Sequence, residues 1–447
     1  MSSVTAPGVT HVVGAGLAGL SAAVRLAQAG RRVRVYEAAP QAGGRCRSFY
    51  DAQLDRMIDN GNHLVLSGNH AVSDYLDLVG GSDHVEIGEA CFPFFDPVSG
   101  ERWEMRLADG AVQWKLLLSG GGIPGAGVSD WRSLLPLLMA KPHATVADIV
   151  GTTGVLHDRF WEPMTWAVLN TTPARGSARL LAPVLRETFA RGGRHCRVVT
   201  APDGWGAALI DPAIRYLEAH GGTLQFHTTL ERVDRGGDGR IAALSFAGET
   251  VMLQSDDDVV LALPRARLAR LLPGITVPDG DATIVNAHFR LDAPLSTRSG
   301  RAVPPLIGLV NARAHWVFVR DDVISITISA ADALGLDREP AESILPLLWQ
   351  ETIAALDLAP DTSYAAGRLI RERRATFDQS PDSVARRPPT RTAWSNLVLA
   401  GDWVDTGLPA TIEGAIRSGV AAARALMDEG LAHTKYTEAA SGRSIAT

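Results

Sequence analysis

The stretch from Val9 to Glu37 constrains this chain more than any other. Residues 9–13 (Val-Thr-His-Val-Val) read as a short buried strand. Gly14-Ala15-Gly16-Leu17-Ala18-Gly19 follows at once, then an Ala- and Leu-rich helical run that Gly30 stops. Residues 32–36 alternate as a second strand, with Glu37 and Ala38 at its end. Gly14 lets the chain turn out of the strand, Gly16 clears a path for a pyrophosphate, and Gly19 lets helix and strand pack closely. The free N–H groups and dipole of the helix start hold phosphates. Glu37 is placed to accept hydrogen bonds from ribose hydroxyls. A glycine triplet alone is weak evidence. Strand, glycines, helix, strand and terminal acid in that order specify a dinucleotide site.

Two further segments extend this site. Gly43-Gly44-Arg45 allows close backbone approach to a ligand, and Arg45 can pair with phosphate or contact an extended ring system. Near the other end, residues 397–401 form an apolar strand running into Gly401-Asp402. A loop then leads to Thr411-Ile412-Glu413 and an Ala-rich helix, where Gly414 and Gly419 permit close packing. Strand, acid, loop and helix start make a second cofactor surface. The helix dipole there favours negative charge.

These motifs together resemble the FAD-dependent amine oxidase and phytoene desaturase superfamily. The resemblance implies FAD and an α/β fold, a Rossmann-like FAD-binding domain interleaved with a mixed α+β substrate domain. It places Asp402 near the ribityl and pyrophosphate, the N–H groups at Thr411, Ile412 and Glu413 near the flavin O2 region, and Val233 against adenine. Residues 221–233 read as a strand pair returning to the nucleotide domain, 234–239 as a hairpin turn, and 259–263 as a buried strand. The expected division is FAD-binding parts at 1–65, 201–280 and 389–431, substrate-domain parts at 66–200 and 281–388, and a flexible tail over 432–447.

Composition narrows the function. The length of 447 residues suggests two or three domains. A net charge of −6 argues against nucleic-acid binding. Three cysteines without a CxxC pair make no disulfide framework and suit free thiols in a reducing cytoplasm. No apolar run is long enough to span a bilayer. The segment from Trp131 to Pro142 is short and apolar with flanking basic residues. It reads either as a buried helix or as a peripheral membrane contact on the inner face of the cell membrane. Trp103, Trp114, Trp131, Trp161, Trp166, Trp316 and Trp349 lie in the substrate blocks. They suit a hydrocarbon tunnel, although any one of them reads as core filling.

Two stretches sharpen the resemblance. Residues 54–63 end in Asn60-Gly61-Asn62-His63, and Phe160-Trp161-Glu162-Pro163-Met164 runs on to Leu169-Asn170-Thr171-Thr172-Pro173. With the Gly43-Gly44-Arg45 segment they look like the squalene-associated desaturase-like branch, the hydroxysqualene dehydroxylases of bacterial hopanoid pathways. That branch commonly carries Gln where Asn62 stands. The resemblance implies a C30 isoprenoid lipid substrate that loses an allylic hydroxyl, with hydride from reduced flavin and an external electron donor. Hydroxide leaves poorly, so an acid should protonate it. His63 is the first choice as proton donor or flavin-side contact, with Asn62 positioning a ring edge. Glu162, in an aromatic run, is a candidate acid of raised pKa. Asp59 reads as structural. No spacing suits a metal, and no GxSxG elbow suits acyl transfer.

Three alternatives fit the nucleotide motifs. One is a carotenoid desaturase working oxidatively. Another is an amine oxidase, which Thr411 disfavours because it stands where an aromatic residue would face the flavin. The last is a non-catalytic FAD-binding partner of an isoprenoid synthase, which the polar pair Asn62-His63 disfavours.

Overall fold

A computed structural model describes residues 8–110, 122–293 and 295–441. Trp114 and the end of the expected tail, 442–447, lie outside the described residues. Val9–Val13 forms the middle strand of a five-stranded parallel sheet. Arg32–Tyr36 and then Thr223–Gln225 lie on one side, Asp258–Leu261 and then Leu397–Leu399 on the other. Strand order reverses at the central strand, where open α/β sheets form their ligand crevice. Helix Leu17–Gln28 returns from the central strand to its neighbour. The C-terminal helix, Ile412–Ser441, packs along it. A Cβ on Gly419 would lie 2.3 Å from Ala18 O, so only glycine permits this approach. This helix continues through 432–441, where the sequence reading expected a flexible tail.

A second sheet has seven strands, ordered Ala366–Phe377, Asp281–Arg290, Val323–Ile328, Trp316–Arg320, Leu306–Leu309, Cys91–Phe95 and Arg102–Arg106. One face carries Val285, Ala287, Phe289, Ile324, Ile326 and Ile328 against helix Ala341–Ala355. The opposite face carries Asn286, His288, Ser325 and Thr327, all buried as well. Burial on both faces requires these polar groups to find partners inside the molecule.

Two sequence expectations change. Thr223–Gln225 joins the five-stranded sheet, but Leu230–Arg235 does not pair with it. Leu230–Arg235 instead opens a separate three-stranded sheet with Ile241–Phe246 and Glu249–Met252. The turn at 226–229, with His227 at φ 57°, redirects the chain. The segment 131–142 is neither wholly buried nor wholly superficial. Trp131 and Leu137 are buried, whereas Leu135 is 65% and Met139 75% exposed. Its helix spans only Leu134–Leu138. Cys46, Cys91 and Cys196 are all free.

Candidate active site

The three glycines of the first turn do different work. Gly14 has φ +106°, and a Cβ there would lie 2.4 Å from Ala262 O. A Cβ on Gly19 would lie 1.9 Å from Gly14 O, so helix Leu17–Gln28 sits directly on the turn. A Cβ on Gly16 would meet nothing within 4 Å. Gly16 caps the helix without a side chain, and no acid stands in its first turn. Ala15, Leu17 and Ala18 are buried beneath it. The first-turn N–H groups therefore face open space with no competing carboxylate, which fits an anionic pyrophosphate.

Glu37 accepts from Ala15 N at 2.7 Å and Ala39 N at 2.8 Å. A carboxylate has about four acceptor positions, so capacity remains for ribose hydroxyls. Ala38 between them is exposed. The 43–45 segment folds over the glycine turn, with Gly43 N donating to Ala15 O at 2.8 Å. Arg45 reaches Asp402 at 2.7 Å and so ties the two cofactor segments together. Gly401 at φ +150° turns the chain there, and its N–H donates to Ser418 Oγ at 2.8 Å.

Arg387 is a buried partner that sequence reasoning missed. Its guanidinium donates to the carbonyls of Asp402, Val404 and Leu408 at 3.0, 2.5 and 2.7 Å and so shapes the loop after Asp402. Thr411 Oγ1 accepts from Gly414 N at 3.1 Å and caps the last helix. Ile412 packs among the apolar residues below. The Glu413 carboxylate turns elsewhere. It accepts from Ala71 N and Val72 N, both at 3.0 Å, at the start of helix His70–Val79, and pairs with Arg417 at 2.7 Å. Only the backbone of Glu413 is left for the expected cofactor contact. Val233 is buried beside Leu230 and Leu244 in the three-stranded sheet.

Asn62 and His63 stand between the two sheets. Asn62 Nδ2 donates to Thr327 Oγ1 at 3.0 Å, and Thr327 Oγ1 donates to Asn286 Oδ1 at 3.0 Å. A Cβ on Gly61 would lie 3.5 Å from Asn286 Nδ2 and 3.8 Å from His63 Nε2, so this turn seats both groups closely. His63 Nε2 is buried without a partner among the described residues. Burial pushes the His63 pKa down, with nearby Asp59 opposing. A neutral imidazole is a poor source of a proton, which weighs against His63 as the acid. Asp59 is structural, binding Trp205 N at 3.1 Å and Arg320 at 3.0 Å.

Glu162 opens helix Glu162–Leu169. Burial raises its pKa, and Asp158 adds to this while His157 opposes. Gln379 donates to Leu169 O at 2.7 Å and accepts from Ala410 N at 2.9 Å. One amide thus joins the end of that helix to the loop before Thr411. The sequence does signal the missed floor residues. Val323–Ile328 alternates Ser325 and Thr327 with isoleucine, a pattern that ordinarily marks a strand with one wet face.

A family model described as flavin containing amine oxidoreductase matches residues 17–427. Hydroxysqualene dehydroxylase of Rhodopseudomonas palustris is 42% identical over 94% of this chain and 99% of that protein. The hydroxysqualene dehydroxylase of Zymomonas mobilis is 40% identical over 93% and 98%. A probable zeta-carotene desaturase of Synechococcus elongatus is 23% identical over 93% and 98%. Among solved structures, cyclohexylamine oxidase from Brevibacterium oxydans superposes with a TM-score of 0.68 at 14% identity, covering 95% of this chain and 99% of that one. That likeness concerns fold alone. The chain belongs to the flavin containing amine oxidoreductase family and, within it, to the hydroxysqualene dehydroxylases.

Proposed function

We propose that this chain reduces hydroxysqualene to squalene, breaking the allylic carbon–oxygen bond and releasing water. The observation that carries the reading is 39–42% identity to three hydroxysqualene dehydroxylases over nearly their whole lengths. FAD, once reduced by an external donor, supplies the hydride that the carbon accepts in place of its hydroxyl. The cradle at Gly14, Gly16 and Gly19, with Glu37 and the Arg45–Asp402 pair, would bind and orient that cofactor. Gly43, Gly44 and the backbone from Thr411 to Glu413 would close over it, with Val233 against the adenine. Asn62 and His63 would stand at the flavin edge, and Glu162 would protonate the departing hydroxyl. The FAD-binding parts are 1–65, 201–280 and 389–431, and the substrate parts 66–200 and 281–388. Aromatic contacts Phe94–Trp103, Phe94–Trp316 and Phe160–Trp161, with centroids 5.5, 5.5 and 4.7 Å apart, suit a hydrocarbon wall.

The test is anaerobic. Protein carrying reduced FAD should reoxidise on adding hydroxysqualene and yield squalene in equal amount. Oxidised protein that removes two hydrogens from squalene would support the desaturase reading instead.

No helix among the described residues is long and apolar enough to cross a membrane. Exposed Leu135 and Met139, between Arg132 and Lys141, support a peripheral contact with the inner face of the cell membrane from the cytoplasm. Leu135→Ser with Met139→Ser should lower co-sedimentation with anionic vesicles several-fold and leave turnover of micellar substrate unchanged.

A further inference from the structure

Trp166 and His315 come from elements far apart in sequence, yet their rings stack at 4.3 Å and 10°. His315 is buried and its backbone N–H donates to Thr327 O at 3.0 Å, next to the position that Asn62 binds. Its Nδ1 accepts from Ser329 N at 3.1 Å, which places the proton of the neutral ring on Nε2. That Nε2 is buried and has no partner among the described residues. The indole Nε1 of Trp166 is likewise buried and unpartnered. Burial pushes the His315 pKa down to about 3, so the ring stays a neutral donor at working pH.

Native folds rarely leave one buried N–H without an acceptor, and here two lie on stacked rings. The surroundings say what the acceptor is attached to. On one side is the polar floor of Asn62, Thr327 and Asn286. On the other, Trp316 follows His315 directly and packs against Phe94. Apolar rings beside ring N–H donors suit a hydrocarbon bearing one oxygen.

We infer that Trp166 Nε1–H and His315 Nε2–H form a two-donor seat for the hydroxyl oxygen of the isoprenoid substrate. This rests on the dehydroxylase reading and extends it to the atom that leaves. Glu162 lies one helical turn before Trp166, a spacing that puts both on one helix face. The hydroxyl oxygen has two lone pairs, so as Glu162 delivers its proton to one the N–H contact there is given up while the other N–H keeps hold; the carbon–oxygen bond breaks with its electron pair going to oxygen, water departs, and the carbon accepts hydride. A neutral imidazole polarises oxygen in this way without competing for the proton.

Two variants test the seat in flavin-loaded protein. Trp166→Phe keeps a stacking ring and removes its N–H. His315→Asn keeps an acceptor for Ser329 N and withdraws the other donor. Each should weaken binding of hydroxysqualene about tenfold and leave binding of squalene unchanged, with the visible flavin spectrum intact. Equal weakening of both lipids, or of neither, overturns the seat. Wild-type turnover separates the two ideas. If wild type makes squalene and both variants match it in binding and rate, the seat fails and the dehydroxylase reading stands. If wild type makes no squalene yet binds hydroxysqualene more tightly through these two residues, that reading fails and the seat stands.

Discussion

The five-stranded and seven-stranded sheets solve opposite problems. In the first, the groups suited to a ligand sit in one tight turn, Gly14 to Gly19, and are mostly backbone. In the second, they are side chains drawn from distant parts of the chain, as with Asn62 on Thr327 and Trp166 on His315. A backbone site needs room, so glycine spacing encodes it. A side-chain site needs partners brought together by the fold, and no short motif records that.

The largest expected effect sharpens this contrast within six residues. Gly19→Val drives a side chain into Gly14 O and should abolish soluble protein. Gly16→Val points into open space, so it should fold with an unchanged circular dichroism spectrum and lose the visible flavin absorbance. If both variants fold and hold flavin, the division of labour among the glycines is wrong.

Glu162→Gln probes the other sheet. It should lower the single-turnover rate by about a hundredfold or more while flavin stays bound. The raised pKa of Glu162 keeps its acid form to higher pH than an ordinary glutamate. Wild-type rate should therefore be highest at low pH and fall as pH rises through that pKa. The variant should show a flat profile, and a wild-type rate that rises with pH would remove Glu162 as the acid.

A smaller effect concerns acid stability. Burial holds His288 at about 4 and His315 at about 3, both below the usual histidine value of 6.5. The unfolded chain then binds more protons below pH 6.5, so stability is intact above that value and falls as pH drops toward 4. The slope is about 1.4 kcal/mol per pH unit for each group. His11 in the five-stranded sheet is also pushed down by burial, but Asp257 at 3.7 Å pulls it back. The seven-stranded sheet should lose amide protection first on acidification, and His315→Asn should make the decline shallower.

Much of this was legible in the sequence, unevenly. The strands at 9–13 and 32–36 emerged as expected because pattern, turn and helix agreed locally. The α/β architecture and the cofactor followed from the same agreement and from the family resemblance. Leu230–Arg235 went astray because a strand's pattern does not name its partner. The resemblance implies a cofactor role for the Glu413 backbone N–H and does not announce that its carboxylate caps a different helix. Asn286 and Thr327 carry no motif, and alternation like that of Val323–Ile328 ordinarily marks a face in water, whereas here both faces are covered. Arg387 and Gln379 carry no motif, since each acts on carbonyls and amides that only the fold presents.

The pairing of the five-stranded sheet has a consequence for how the molecule is made. Its middle strand, Val9–Val13, leaves the ribosome well before its neighbour Asp258–Leu261 and the edge strand Leu397–Leu399. At ordinary translation speed the first strand waits on the order of tens of seconds for the last. During that interval the strand has one open edge, the one that Asp258–Leu261 will fill. Nascent chains should therefore depend on chaperones until Leu397–Leu399 has emerged, and flavin capture should follow that point.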